Sequence, residues 1–176
     1  MFKHLLKKVI GLSSLLFAVT ACTGIPEGVQ VIDNFEMQRY LGTWYEIARL
    51  DHPFERGLQR ISAEYRLRED GGIDVLNQGQ NIESQVWEQA EGVGYFIDRP
   101  TQGRLKVSFF GPFYGAYNII ALDKVNYSYA MIVGPDRDFL WILSRSKQLP
   151  AATLDSLIQQ AKSLGFATEQ LIYVKQ

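Results

Sequence analysis

The sequence has 176 residues, with 18 Lys and Arg against 19 Asp and Glu and a formal net charge of −1. No Lys/Arg cluster interrupts that balance, so the electrostatic footprint of a nucleic-acid binder is missing. A single cysteine excludes an intramolecular disulfide, and 47% hydrophobic residues at this length suffice for one domain with its own core, without a metal or covalent staple.

Lys3, Lys7 and Lys8 form a positive n-region, followed by a short apolar run over residues 9–19 that falls short of a bilayer span. Residues 1–21 therefore read as a secretion signal. The segment that closes it, Val19-Thr20-Ala21-Cys22, resembles a bacterial lipobox, with Val19 where Leu is commoner. The resemblance implies cleavage before Cys22 and acylation of Cys22, where each buried methylene would contribute ~0.8 kcal/mol to anchoring. An ordinary signal peptide with a chance cysteine is the alternative. Thr23, in place of Asp, implies by the same resemblance export to the outer membrane. Residues 22–33, with Gly24, Pro26 and Gly28, read as a lipidated N-terminus and flexible tether, and residues 34–176 as the folded domain.

Along that domain, period-2 alternation and β-branched or aromatic enrichment predict eight strands: 43–50, 61–69, 73–80, 85–98, 103–110, 116–123, 128–134 and 138–145. Short turns join them, such as Glu69-Asp70-Gly71-Gly72 and Gly134-Pro135-Asp136-Arg137-Asp138. The expected fold is all-β, an eight-stranded up-and-down antiparallel barrel with room for one small ligand. Leu149-Pro150 opens one helix, whose stripe of Leu154, Leu157, Ile158, Ala161 and Leu164 should lie on the outer wall, with Gly165 as its stop. Residues 170–174 read as a last short strand against the first, and Met37 to Leu41 as a turn plugging the closed end.

Four segments carry a family resemblance: Gly42-Thr43-Trp44-Tyr45-Glu46-Ile47-Ala48-Arg49-Leu50, Pro53-Phe54-Glu55-Arg56-Gly57-Leu58, residues 105–115 and residues 134–145. With the element order, they make nearly the whole domain similar to the lipocalins, in particular the bacterial outer-membrane subgroup related to apolipoprotein D. The family's T-D-Y-like second motif is replaced here by Pro135-Asp136-Arg137-Asp138-Phe139. The resemblance implies a structural motif of Gly42, Trp44 and Arg145, with Arg145 covering Trp44 at the closed base as a cation–π contact.

In the family, Trp44 points inward. Period 2 then places Glu46, Ala48 and Leu50 on the same face. The same parity gives a candidate pocket of Glu46, Ala48, Tyr65, Asn77, Val107, Phe109, Tyr117, Ile132, Phe139 and Trp141, with Ala90, Gly92 and Gly94 facing it from the fourth strand. Aromatics at the mouth and small residues at depth would leave a cavity. The rival reading is a solid core, which inward Glu46, Asn77 and Tyr117 argue against, since an unpaired buried polar group costs about 1–3 kcal/mol. Residues 51–60 form the candidate lid, where Arg56 or Arg60 could meet a phosphate or carboxylate head group; a plain solvated loop is the alternative. The apolar stretch 110–116 is a candidate lid, membrane-touching edge or homodimer contact.

No catalytic constellation is present: no G-x-S-x-G, H-E-x-x-H, C-x-x-C or P-loop occurs. His52, the one histidine beyond the signal segment, reads as a surface residue, so no metal and no cofactor are expected. The sequence thus points to a non-enzymatic binder. The resemblance implies fatty acids or lysophospholipids as ligands, a lipid anchor in the outer membrane, a periplasm-facing domain and a role in envelope maintenance under stress. A filled-barrel envelope protein without a small-molecule ligand, and a scavenger of haem or pigment, are the other readings.

Overall fold

A computed structural model describes residues 23–176; the signal segment and Cys22 lie outside the described residues. One turn of helix, α1 (Met37–Tyr40), precedes eight antiparallel strands: β1 (Gly42–Arg49), β2 (Leu58–Leu67), β3 (Ile73–Asn81), β4 (Trp87–Phe96), β5 (Arg104–Phe110), β6 (Phe113–Leu122), β7 (Tyr129–Val133) and β8 (Leu140–Ser144). Helix α2 (Ala151–Ser163) and a short strand β9 (Ile172–Tyr173) come after them. Each strand pairs with its neighbour in sequence, and β1 pairs with both β2 and β8, which closes the barrel; β9 pairs with the last residues of β1. Closure leaves no long open edge, the arrangement that the regular spacing of strands and turns predicted.

Two hydrophobic clusters divide the molecule. One fills the barrel around Trp44, Tyr40, Tyr65, Ile119 and Ile132. The other joins the outer faces of β1, β6, β7 and β8 to α2 through Leu157 and Ala161, and to Phe166. The helix ends as its sequence requires: Gly165 takes φ +82°, Gly165 N–H donates to Lys162 O (3.0 Å) and Phe166 N–H to Ala161 O (3.1 Å), a Schellman cap.

The structure departs from the sequence expectation at β1. Its register against β8 runs Glu46 to Leu143 and then Ala48 to Ile142, so one residue is extra. This β-bulge exchanges the faces of the residues beyond it. Ala48, expected in the pocket, lies in the outer cluster under α2, as does Leu50, and Arg49, paired with Trp141, takes the inward position. A similar shift in β6 between Ile119 and Ala121 sends Ala121 outward. The fourth strand keeps its expected register: Ala90, Gly92 and Gly94 pair with Asn77, Val75 and Ile73.

The segment read as a flexible tether is strapped to the wall. Asn118 Nδ2 donates to Gly24 O (2.9 Å), Arg137 Nη2 to Glu27 O (2.6 Å) and Ile32 N–H to Ile119 O (2.9 Å), and Val29 is buried among the outer cluster.

Candidate functional site

The closed end is solid. Trp44 is fully buried, its Nε1 donating to Tyr40 O at 2.8 Å, and the Arg145 guanidinium lies 4.1 Å from its ring centroid. Arg145 is fixed there by donating from Nη1 to Thr43 O (2.9 Å) and from Nη2 to Arg39 O (2.8 Å). Gly42 adopts φ +89°, and a Cβ there would sit 3.5 Å from Arg145 Nη1, so glycine keeps the entry to β1 unstrained. Above this base, the hydroxyls of Tyr40 and Tyr65 each reach that of Tyr117, at 2.7 and 2.8 Å. Burial raises all three phenols far above their ordinary range. The space left among Met37, Tyr65, Ile73, Val107 and Tyr117 is about 10 Å³, enough for one water at most. The expectation of small residues at depth therefore fails. Tyr65 and Tyr117, read as pocket residues, form a floor with their polar groups satisfied by each other.

The open half holds the remaining candidates. Phe139 stacks on Trp141 with ring centroids 6.1 Å apart at 23°. Ile132 pairs with Trp141 across β7 and β8 and is wholly buried. Phe109 lies over Gly92, where a Cβ would meet its ring at 2.8 Å, so the glycine makes room for the aromatic. Asn77 faces inward with its Oδ1 buried and unpartnered, and Val107 joins the interior cluster below.

Into this half the structure brings three residues that sequence reasoning placed elsewhere. Arg49 Nη1 donates to Glu46 Oε1 at 3.2 Å, and Nη2 to Glu55 O at 2.9 Å. His52 is only 3% exposed, a correction to its reading as a surface residue, and its ring lies 5.0 Å from that of Trp141 and 6.2 Å from that of Phe139. Glu55 Oε2 accepts from Trp141 Nε1 (3.2 Å) and sits 3.0 Å from His52 Nε2, though not aligned for a hydrogen bond. The segment after β1 thus folds its polar side chains into the mouth. Arg56 points outward instead and pairs with Asp51 at 2.7 Å.

Glu46, Arg49, His52 and Glu55 form a largely buried cluster of ionisable side chains. Burial first, then the Glu55 carboxylate, pushes Glu46 well above the ordinary carboxyl range, against the pull of Arg49. Burial alone would raise Glu55 as well, but His52, Trp141 and Arg49 together hold its carboxyl below that range. Folded Glu46 keeps its proton to higher pH than the unfolded chain does. Its contribution to stability is therefore full below the unfolded value near 4.5 and is lost as pH rises through the folded value. Glu55 acts oppositely: its contribution is present above the unfolded value and lost as pH falls through the depressed one. Glu46→Gln is expected to flatten the decline of Tm on the neutral side of pH 4.5, and Glu55→Gln the decline on the acid side. Thermal melts across pH check this; an unchanged profile in Glu46→Gln would take Glu46 out of the account.

Arg49 Nε and both ring nitrogens of His52 are buried without a hydrogen-bond partner, as is Asn77 Oδ1. The mouth thus combines stacked aromatics with a few buried polar atoms that lack a hydrogen-bond partner, the kind of lining that small-ligand sites have.

Comparison with known proteins gives the family. The model of the lipocalin-like domain matches residues 35–176, and the chain belongs to that family. It is 52% identical over 158 residues to the outer membrane lipoprotein Blc of Vibrio cholerae, covering 90% of this chain and 92% of that one. It is 49% identical over 170 residues to the protein of the same name from Escherichia coli K12, covering 96% of each. Apolipoprotein D of Macaca fascicularis is 37% identical over 147 residues, 80% of this chain and 75% of that one. Among solved structures, insecticyanin from Manduca sexta shares the fold with a TM-score of 0.69 at 24% identity, over 87% of both chains. Lipocalins bind small hydrophobic ligands.

Proposed function

We propose that this chain is an outer-membrane lipoprotein, acylated at Cys22 and facing the periplasm. It holds one fatty acid or lysophospholipid in the open half of its barrel for envelope maintenance under stress. The observation that carries the reading is that Arg49 Nε and His52 Nδ1, buried without a hydrogen-bond partner, belong to side chains lying against Trp141 and Phe139. The acyl chain lies against the aromatics and the head group meets Arg49 and His52. With the closed half filled, residues 51–60, whose His52 and Glu55 fold into the mouth against Trp141, act as the lid that the acyl chain displaces. The similarity to Blc proteins along almost the whole chain supports the anchor and the location.

The filled-barrel reading draws on the solid closed half. Native mass spectrometry of the protein purified from cells, then delipidated and titrated with fatty acids and lysophospholipids, separates the two. A stoichiometric lipid adduct is expected, and Trp141→Ala should weaken it about tenfold or more, roughly 1.4 kcal/mol per decade. No adduct with any lipid, and tryptophan emission unmoved by titration, would leave the barrel as a structural or interaction module.

A further inference from the structure

The barrel wall is not paired along its whole height. β4 pairs with β3 from Gly94 opposite Ile73 to Trp87 opposite Gln80, but with β5 only from Phe96 opposite Leu105 to Val93 opposite Ser108. Had that register continued, Phe110 to Tyr114 would lie opposite Glu91 to Trp87. Instead β5 ends at Phe110, Gly111 and Pro112 turn the chain into β6, and the Phe109 ring packs on Gly92. Trp87, Glu88, Gln89, Ala90 and Glu91 therefore have a strand partner on one side alone. All five are exposed, and among the described residues no backbone hydrogen bond from a turn or loop reaches them. Alternate residues of such a strand turn their N–H and C=O groups to the open side, which makes it a template for one more strand.

Beside this edge the wall carries a groove of about 560 Å³, with Glu64, Arg66, Asp74, Glu91, Ser108 and Tyr114 around it. Ser108 is buried there, and its Oγ has no hydrogen-bond partner. A strand laid ~4.8 Å from β4 would hold one row of side chains over the groove and the other toward the barrel axis. Charge says what kind of strand fits. Arg66 is paired with Glu64 at 2.9 Å, and Arg68 with Asp70 and Asp74 at 3.1 and 2.6 Å. Lys106 Nζ lies over the Tyr114 ring, 4.8 Å from its centroid. Glu88 and Glu91, on the open stretch itself, have no ion-pair partner among the described residues, and Glu88 accepts only from Asn81 Nδ2 at 3.0 Å. The cations of the groove are thus occupied, and the carboxylates left over lie on the edge.

We infer that the open edge of β4 at Trp87–Glu91 takes an extended, basic segment of another polypeptide as an added strand, with its side chains over the groove between β4 and β5. Main-chain hydrogen bonds to the edge supply the attachment, and Glu88 and Glu91 select lysine and arginine over acidic residues. An anionic lipid surface and a nucleic acid are repelled by the same two carboxylates. The inference is independent of the lipid-carrier reading, since neither Arg49 nor His52 at the mouth takes part. Because its selectivity is electrostatic and exposed, the contact weakens as salt rises.

The probe is a short synthetic peptide of alternating lysine and valine, titrated into the full chain as processed in cells and kept in detergent. Two further versions are N-methylated at every second amide, one along each edge of the extended peptide. N-methylation along the edge that meets β4 should weaken binding about tenfold or more, and along the other edge leave it nearly unchanged. Hydrogen exchange should slow at the amides of residues 87–91 when the peptide binds. A glutamate–valine peptide is expected not to bind, and Glu88→Lys/Glu91→Lys should reverse the preference between the two peptides. Equal effects of N-methylation on both edges would reduce the contact to charge capture and overturn the added strand. No binding of the basic peptide, or protection confined to other residues, overturns it as well. Slow exchange at 87–91 without peptide, with a sedimenting dimer, would assign the edge to a second copy and overturn the proposal equally. If the double variant does not fold, the N-methylation series on the unaltered chain still decides.

Discussion

Replacing Trp44 with Ala is expected to lower stability by about 3–5 kcal/mol, the usual cost of removing a buried aromatic. At ~2–4 °C per kcal/mol for a domain of this size, Tm should fall by roughly 6–20 °C. The indole is fully buried, donates to Tyr40 O, lies 4.7 Å from the Tyr40 ring and carries Arg145 on its other side. Its loss opens a cavity where α1, β1 and β8 meet and leaves Arg145 without its platform. Trp44→Phe keeps a ring but not the donor and should cost much less. A thermal melt decides: a drop of one or two degrees in Trp44→Ala would show that the base carries little of the stability. A large loss of stability is expected because Trp44 and Arg145 meet at the closed base, away from the mouth.

The second large effect is expected at Arg49. Arg49→Met should cost about 3–5 kcal/mol near neutral pH, because removing one partner of a buried pair leaves the other charge uncompensated. Two carboxylates, Glu46 and Glu55, face the vacated position, at 3.2 and 3.7 Å from the guanidinium. The loss should shrink as pH falls, since Glu46 already takes up a proton more readily than an ordinary carboxyl and neutralises itself. Arg49→Met/Glu46→Gln should recover part of the loss at neutral pH. Denaturant titrations at two pH values and a double-mutant cycle test this; a pH-independent cost would mean that lost packing, not stranded charge, dominates. The same variant should weaken lipid binding if Arg49 meets the head group.

Between Arg49 and Ala48 lies the clearest limit of sequence reasoning. Counting by two from Trp44 gave Glu46, Ala48 and Leu50 as the inward row, and only Glu46 is there. One inserted residue reverses parity without altering composition, so alternation within the strand cannot reveal it. A signal was present across elements. The stripe of α2 needs an apolar partner, and Ile47, Ala48 and Leu50 supply one, whereas Tyr45, Ile47 and Arg49 do not. His52 and Glu55 were missed for a different reason. Their connection is polar and reads as solvated, and only the aromatic shelf of Phe139 and Trp141, about 85 residues away in sequence, draws it into the mouth.

What the sequence determined by itself was local and periodic. Alternation and turn chemistry specified eight antiparallel strands, a helical stripe and its glycine stop, and Trp44 and Arg145 carried the family's base. Each comes from neighbours a few residues apart or from a motif. The tertiary structure decided the rest. It filled the closed half with three hydrogen-bonded tyrosines, turned Arg49 inward, buried His52 and fastened residues 24–33 to the wall. These depend on which side chains meet across a closed barrel, where strand stagger and bulges set the contacts, and a one-dimensional pattern holds no record of either.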